Sequence, residues 1–149
     1  MGAETLIIRK ANLTDLERLA ELEAESFEWA WDEQMLMEHM FREFVHYFVA
    51  EINGKIIGYI CGLLVAGEAE IHRVCVAKIY RGKRYGIFLL SKFEEICCGE
   101  NIKKIFLEVR EENEIAIKMY LATGYKFAGK RKNYYGVGRD GLLMLKTLA

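Results

Sequence analysis

The stretch Tyr80-Arg81-Gly82-Lys83-Arg84-Tyr85-Gly86-Ile87-Phe88-Leu89-Leu90 limits what this chain can fold into more than any other. Before it, Ile71 to Val76 reads as a strand. After it, Ile87 to Cys98 has the apolar spacing of an amphipathic helix. A basic, glycine-containing turn therefore joins a strand to a helix N-terminus. Such a junction favours anions, because first-turn N–H groups lack helical partners and the helix dipole is positive there. Gly82 and Gly86 permit a tight backbone, while Lys78, Arg81, Lys83 and Arg84 add charge. A ligand carrying several phosphates suits these properties; a solvated basic turn is the plain alternative. The Gly-Lys-Ser/Thr ending of a Walker loop is absent, and so is the Gly-x-Gly-x-x-Gly of a dinucleotide fingerprint.

The chain has 149 residues, a length that suits a single domain over 1–149. Hydrophobic residues make up 52% and charged residues 29%, so a true core is expected and global disorder is excluded. The net charge of -1 argues against a whole-surface nucleic-acid binder and leaves only a local basic patch. Cys61 and Cys75 lie in apolar strands and read as core thiols. Cys97 and Cys98 are neighbours, a poor geometry for a disulfide. The cysteines lack Cys-x-x-Cys spacing and the histidines form no metal signature, so no metal is expected. No apolar run approaches the ~20 residues of a membrane span, and Met1 to Lys10 lacks the pattern of a signal peptide. A reducing, cytoplasmic setting without membrane contact is the expectation.

With no proline, glycine and asparagine must punctuate the chain. Thr5 to Lys10 reads as a first strand. Thr14 with Glu17 fits a capping box, and Leu16, Leu19, Ala20 and Leu22 recur at helical spacing to about Ser26. Asp32 caps a second helix running to about Phe44, after the aromatic connection Phe27-Glu28-Trp29-Ala30-Trp31. Asn53-Gly54 between His46–Ile52 and Lys55–Val65 is a strong hairpin signal. Glu68–Val76 enters the basic loop. Beyond the next helix come a strand at Lys103–Val109, a helix at Asn113–Thr123 closed by Gly124, and strands at Tyr125–Tyr134 and Gly141–Leu148. The order is β-α-α-β-β-β-α-β-α-β-β.

Three stretches carry a family resemblance: Val76 to Leu90; Leu107-Glu108-Val109-Arg110 followed by Asn113, Ala116, Tyr120, Gly124 and Tyr125; and Arg131-Lys132-Asn133-Tyr134-Tyr135 with Asp140-Gly141. Over nearly its whole length the chain resembles GNAT-fold acetyltransferases, and among them the RimI/Ard1-type enzymes that acetylate protein N-termini. The resemblance implies an α/β (α+β) fold: a central mixed, mostly antiparallel sheet flanked by about four helices. It departs at one place. The family loop reads Arg/Gln-x-x-Gly-x-Gly/Ala, and Arg84 stands where the first glycine belongs. Glycine there tolerates positive φ and lets backbone N–H groups approach a pyrophosphate. An arginine can supply its own N–H and a guanidinium, or obstruct the cradle with its side chain.

The resemblance implies acetyl-CoA as donor. Its arm would run along Val74, Cys75 and Val76, and its phosphates along Arg81, Gly82, Lys83, Arg84, Tyr85, Gly86 and Ile87. Glu108 is the first candidate base, against a plain solvent-facing strand residue. Glu70 is the second, against an exposed edge position, and strand alternation sets His72 on the same face. Tyr120 is the candidate acid near the coenzyme sulfur, or else a tyrosine packed with Ile117 and Leu121. Asn113 contacts the cofactor arm or caps its helix. Tyr134 and Tyr135 would flank a peptide entrance, with Phe27, Glu28 and Trp29 as the opposite wall, although successive strand tyrosines should face opposite ways. The implied acceptor is a protein N-terminus. A small amine such as a polyamine or antibiotic, a non-catalytic acyl-CoA-binding module, and a nucleic-acid binder are the competing readings. An auxiliary subunit or a homodimer is compatible with each.

Overall fold

The structure, a computed structural model, describes residues 5–134 and 136–148. Seven strands and four α-helices alternate in the expected order: β1 (Leu6–Lys10), α1 (Leu16–Ser26), α2 (Glu33–Met40), β2 (Val45–Ile52), β3 (Lys55–Val65), β4 (Glu68–Val76), α3 (Tyr85–Gly99), β5 (Lys104–Arg110), α4 (Glu114–Ala122), β6 (Lys126–Arg131) and β7 (Gly141–Thr147). They form one sheet in the order β1-β2-β3-β4-β5-β7-β6. Only β4 and β5 pair in parallel. No helix among the described residues is long and apolar enough to cross a membrane.

Local chemistry sets the boundaries. Asn12, not Thr14, caps the first helical segment: Asn12 Oδ1 accepts the Thr14 N–H at 3.0 Å, and the Asn12 N–H donates to Asp15 at 2.8 Å. The capping box is thus Asn12/Asp15, and a short 3₁₀ turn at Leu13–Asp15 precedes α1. Arg9 holds Asp15 through both carboxylate oxygens, at 2.9 and 3.0 Å. Asp32 caps α2 at the Met35 N–H, as expected, but α2 stops at Met40, before Phe44. Asn53 and Gly54 both take positive φ, +51° and +80°, the conformation a two-residue hairpin turn demands.

Two cores cover the sheet. Leu16, Leu19, Leu22 and Leu36 of α1 and α2 pack on Tyr47, Val49, Tyr59 and Cys61. On the other face Leu89, Leu90, Phe93 and Cys97 of α3, with Tyr120 of α4, pack on Phe48, Ile57, Ile60, Ile105 and Leu107. Gly62 permits the second packing: a Cβ there would lie 2.4 Å from the Glu70 carbonyl and 2.7 Å from the Phe93 ring.

Two irregularities of β4 position the site. The β4–β5 ladder runs from Glu68↔Lys104 to Ile71↔Leu107 and stops. Past that point β4 pairs only with β3, and β5 only with β7, so a wedge opens between them. Opposite Cys61 and Gly62, β4 also carries an extra residue, His72, because Arg73 pairs Cys61 while Ile71 pairs Gly62. The bulge turns both His72 and Arg73 toward α1 and α2, where His72 meets His39 and Arg73 meets Glu23. Ile71, Val74 and Val76 pack into the opposite core.

Candidate active site

On the α3/α4 side of the wedge, the chain leaves β4 through a 3₁₀ turn at Lys78–Tyr80 and passes Gly82 at φ +79°. Arg84 takes φ +70°, ψ +11° and serves as the N-cap of α3, with no side-chain cap bond. Arginine therefore adopts the left-handed conformation that glycine would supply, at a cost of roughly 1–2 kcal/mol. The cradle is kept through strain. Its first-turn N–H groups and the helix dipole face the loop's concave side.

Arg81 lines the cleft, but its guanidinium is tied back into the protein. Its Nε donates to the Val76 carbonyl and its Nη2 to Ser26 Oγ, both at 2.9 Å. It is a strut between the end of β4 and the end of α1, and the Lys78 N–H bonding to the Glu25 carboxylate braces the same junction. Lys83 lies over the Tyr80 ring, 5.8 Å from its centroid, whereas Arg84, Tyr85 and Ile87 line the cleft with Gly82. That cleft, about 620 Å³, continues between Val74, Cys75 and Val76 of β4 and Asn113, Ala116 and Met119 of α4. A Cβ at Gly86 would come 3.1 Å from Met119 Sδ, which narrows the passage. A long, phosphate-tailed donor fits this shape. Asn113 lines the cleft and caps α4 at the Ala116 N–H, 3.2 Å away.

Tyr120 is on the cleft-lining helix but is only 7% exposed, and its ring packs edge-on against Tyr125 with centroids 5.6 Å apart. It is absent from the cleft wall among the described residues. Burial pushes its phenol above the ordinary range, so it stays protonated.

The opposite side of the wedge is polar. Glu108 alternates with Leu107 and Val109 and points away from their core. Its carboxylate lies 2.8 Å from Arg131 Nε. Burial raises its pKa, the Arg131 charge opposes this, and the Glu70 charge adds to the rise. Glu70 is exposed, and His72 Nε2 stands 3.8 Å from its Oε1.

Three loops meet at the mouth. Glu28 binds Arg110 Nη1 at 3.0 Å and Arg139 Nη2 at 2.9 Å, and Arg139 first, then Arg110, holds its carboxyl below the usual range. Both guanidinium groups lie over the Trp29 ring, at 4.8 and 5.5 Å. Glu28 and Trp29 thus stand together, while Phe27 lies apart from them and lines the donor cleft. Tyr134 sits in a turn past the end of β6, half exposed, with Arg131 5.0 Å above its ring. Tyr135 lies outside the described residues.

Several residues of the site were not anticipated. Glu23 is fully buried and accepts the Trp31 N–H at 2.9 Å and the Tyr59 hydroxyl, and pairs with Arg73 at 3.2 Å. Arg73 is stacked between Phe27 and Trp31, at 4.3 and 4.1 Å, and donates to the Trp29 carbonyl at 3.1 Å. This network shapes the aromatic loop. One sequence signal existed: Glu23 falls on the apolar stripe of α1, beside Leu19 and Leu22. His39, Arg110 and Arg139 carried no such signal.

The comparisons with known proteins agree with this geometry. The acetyltransferase (GNAT) family model matches residues 16–125. The chain is 31% identical to the N-alpha-acetyltransferase RimI of Mycobacterium tuberculosis, over 97% of this chain and 95% of that protein. The crystal structure of the ribosomal-protein-S18-alanine N-acetyltransferase from Escherichia coli superposes with a TM-score of 0.90 at 24% identity, covering 97% of this chain and 95% of that one. The PaiA N-acetyltransferase from Thermoplasma acidophilum, in complex with coenzyme A, gives a TM-score of 0.83 at 24% identity, over 97% and 99% of the two chains. With the family model spanning most of its length, the chain belongs to the acetyltransferase (GNAT) family, whose acyl donor is acetyl-CoA.

Proposed function

We propose that the protein transfers acetyl groups to the N-terminal α-amine of proteins or peptides, by direct attack within a ternary complex. The observation that carries this reading is the wedge. A long cleft lies on its α3/α4 side and two carboxylates, Glu70 and Glu108, lie on the other, which supports a donor on one side and an acceptor on the other. The names borne by the M. tuberculosis and E. coli proteins favour an N-terminal acceptor.

Bound acetyl-CoA supplies an activated acyl group as a thioester. The chain's residues supply the rest. Backbone N–H groups from Gly82 to Ile87 hold the phosphates, and the open edge of β4 near Val74 and Val76 holds the arm and offers a donor to the developing oxyanion. A protein α-amine has a pKa of about 7.7–8.0, against about 10.4 for lysine, so a carboxylate base of modest strength suffices. Two carboxylates are candidates to take that proton: Glu108, which pairs with Arg131, and Glu70, which lies beside His72. Tyr120, kept protonated by burial, is the candidate donor to the departing thiolate, a role that requires its hydroxyl to turn from its packing against Tyr125 into the cleft. Glu28, Trp29 and Tyr134 flank the peptide.

The test is acetyl transfer to a panel of peptides differing in their first two residues, with polyamines and aminoglycosides alongside, read by coenzyme release and product mass. Peptide acetylation at the α-amine supports the reading. Turnover of small amines alone replaces it with a small-amine enzyme, and donor binding without any turnover replaces it with an acyl-CoA-binding module.

A further inference from the structure

A second cavity, about 350 Å³, lies between α2 and β4 and takes no part in the reaction so far. Trp31, Met35, Glu38, His39, Arg42 and His72 line it. Two histidines from distant segments meet in its wall, His39 Nε2 standing 2.9 Å from His72 Nδ1. On the inner side, His39 Nδ1 lies 2.5 Å from the Tyr47 hydroxyl, and Cys61 stands opposite Tyr47 in the β2–β3 ladder. On the outer side, His72 Nε2 faces the Glu70 carboxylate at 3.8 Å. A row of polar groups thus runs from a core tyrosine hydroxyl to the acceptor face. The bulge in β4 is what aims His72 into this row.

A relay along this row requires one direction. The Tyr47 oxygen must accept the Nδ1–H of His39. His39 Nε2 then accepts the Nδ1–H of His72. His72 Nε2 is left with its lone pair toward Glu70.

We propose that His72 is the proton relay of the acceptor site: its Nε2 takes the proton that an acceptor ammonium has given to Glu70 and releases it to water in the α2–β4 cavity. The ammonium N–H bond breaks as a Glu70 O–H bond forms. That O–H bond breaks as an N–H bond forms at His72 Nε2. The imidazolium then loses its proton to water, and both groups return to their starting state. This rests on the amine-acetyltransferase reading and adds the proton's exit route to it. The surroundings favour release: burial disfavours the imidazolium, and although Glu70 attracts it, Arg42 just after α2 and Arg73 of β4 repel it, while Glu38 shares the cavity wall. His39 is more strongly held neutral, first by burial and then by His72, Arg42 and Arg73.

His72→Asn is the informative variant, because an amide can keep the bond to His39 while the titrating Nε2 is lost. The expected result is a kcat for peptide acetylation lowered by roughly a hundredfold, a peptide KM within about threefold of the parent, a shifted acid limb of the kcat–pH profile, and partial rescue by added imidazole. A kcat within about twofold and an unmoved profile would overturn the relay. Long-range ¹⁵N NMR of the unmodified protein gives an independent readout that needs no turnover. Protonated Nδ1 with bare Nε2 on His72 at neutral pH supports the proposal, and the opposite tautomer overturns it. A parent enzyme inert toward every amine would instead remove the acetyltransferase reading and the relay with it, whatever the tautomer.

Discussion

Replacing Arg84 by glycine should stabilise this protein. Arg84 sits at φ +70°, ψ +11°, where a Cβ costs roughly 1–2 kcal/mol. Glycine removes that cost but returns about 0.4–1 kcal/mol through the freer unfolded chain. The net gain over Arg84→Ala, which keeps the Cβ and loses the charge, is about 1 kcal/mol. For a chain of this size that is a rise in Tm of roughly 2–4 °C. Thermal melts of the parent, R84A and R84G should therefore place R84G highest. Acetyl-CoA titrations in the same assay separate the second role of the residue. Both variants lose one guanidinium at the cradle, so both should bind more weakly, and the deficit should shrink as salt rises. An R84G protein less stable than R84A would refute the strain argument. Unchanged affinity in both variants would show that the side chain makes no phosphate contact.

Glu108→Gln should lower kcat for peptide acetylation by about 10²-fold or more with donor affinity retained, as measured by initial rates and cofactor titration; a rate within a few-fold of the parent would move the base to Glu70 alone. Arg73→Met should cost about 3–5 kcal/mol in chemical denaturation, because it leaves the Glu23 carboxylate buried without its ion pair. Gly62→Ala should destabilise by roughly 1–3 kcal/mol in the same measurement, since backbone and the Phe93 ring occupy the space of the new methyl group. His39 is held to a pKa of about 4, below its ordinary 6.5, so the unfolded chain binds the extra proton first. Its contribution to stability is complete above about pH 6.5 and is lost as pH falls toward 4. Melting temperatures across that window should fall with acid in the parent and fall less in His39→Asn.

Most of the fold was legible because its signals are local. Asn53-Gly54 needs only two positive φ angles, and the strands on either side show their burial in their own composition. The donor loop was legible for the same reason, since strand, turn and helix start are consecutive. The displaced capping box shows where local signals compete: Asn12-x-x-Asp15 and Thr14-x-x-Glu17 overlap, and the 3₁₀ turn selects the first. Glu28 and Trp29 stand together, but the cations that hold them come from β5 and the β6–β7 loop, 82 and 111 residues away from Glu28. Glu23 and Arg73 were missed for the same reason. Each looks like a surface charge until the helix and the bulged strand bring them together under three aromatic rings. Alternation correctly put His72 with Glu70; it gave no sign that the bulge would add Arg73 to that face, because a bulge is a property of the pair of strands rather than of either one.

The break in the β4–β5 ladder makes the sheet two blades, β1 to β4 and β5-β7-β6, joined by four residue pairs. Under the proposed function, an arm lying along the free edge of β4 acts as a short extra strand, so binding donor and completing the sheet are a single event. Amide exchange from His72 to Val76 should then slow on donor binding more than at any other strand. Product departure, correspondingly, is the unzipping of a ladder, and its rate belongs to the mechanics of the sheet as much as to the chemistry at its edge.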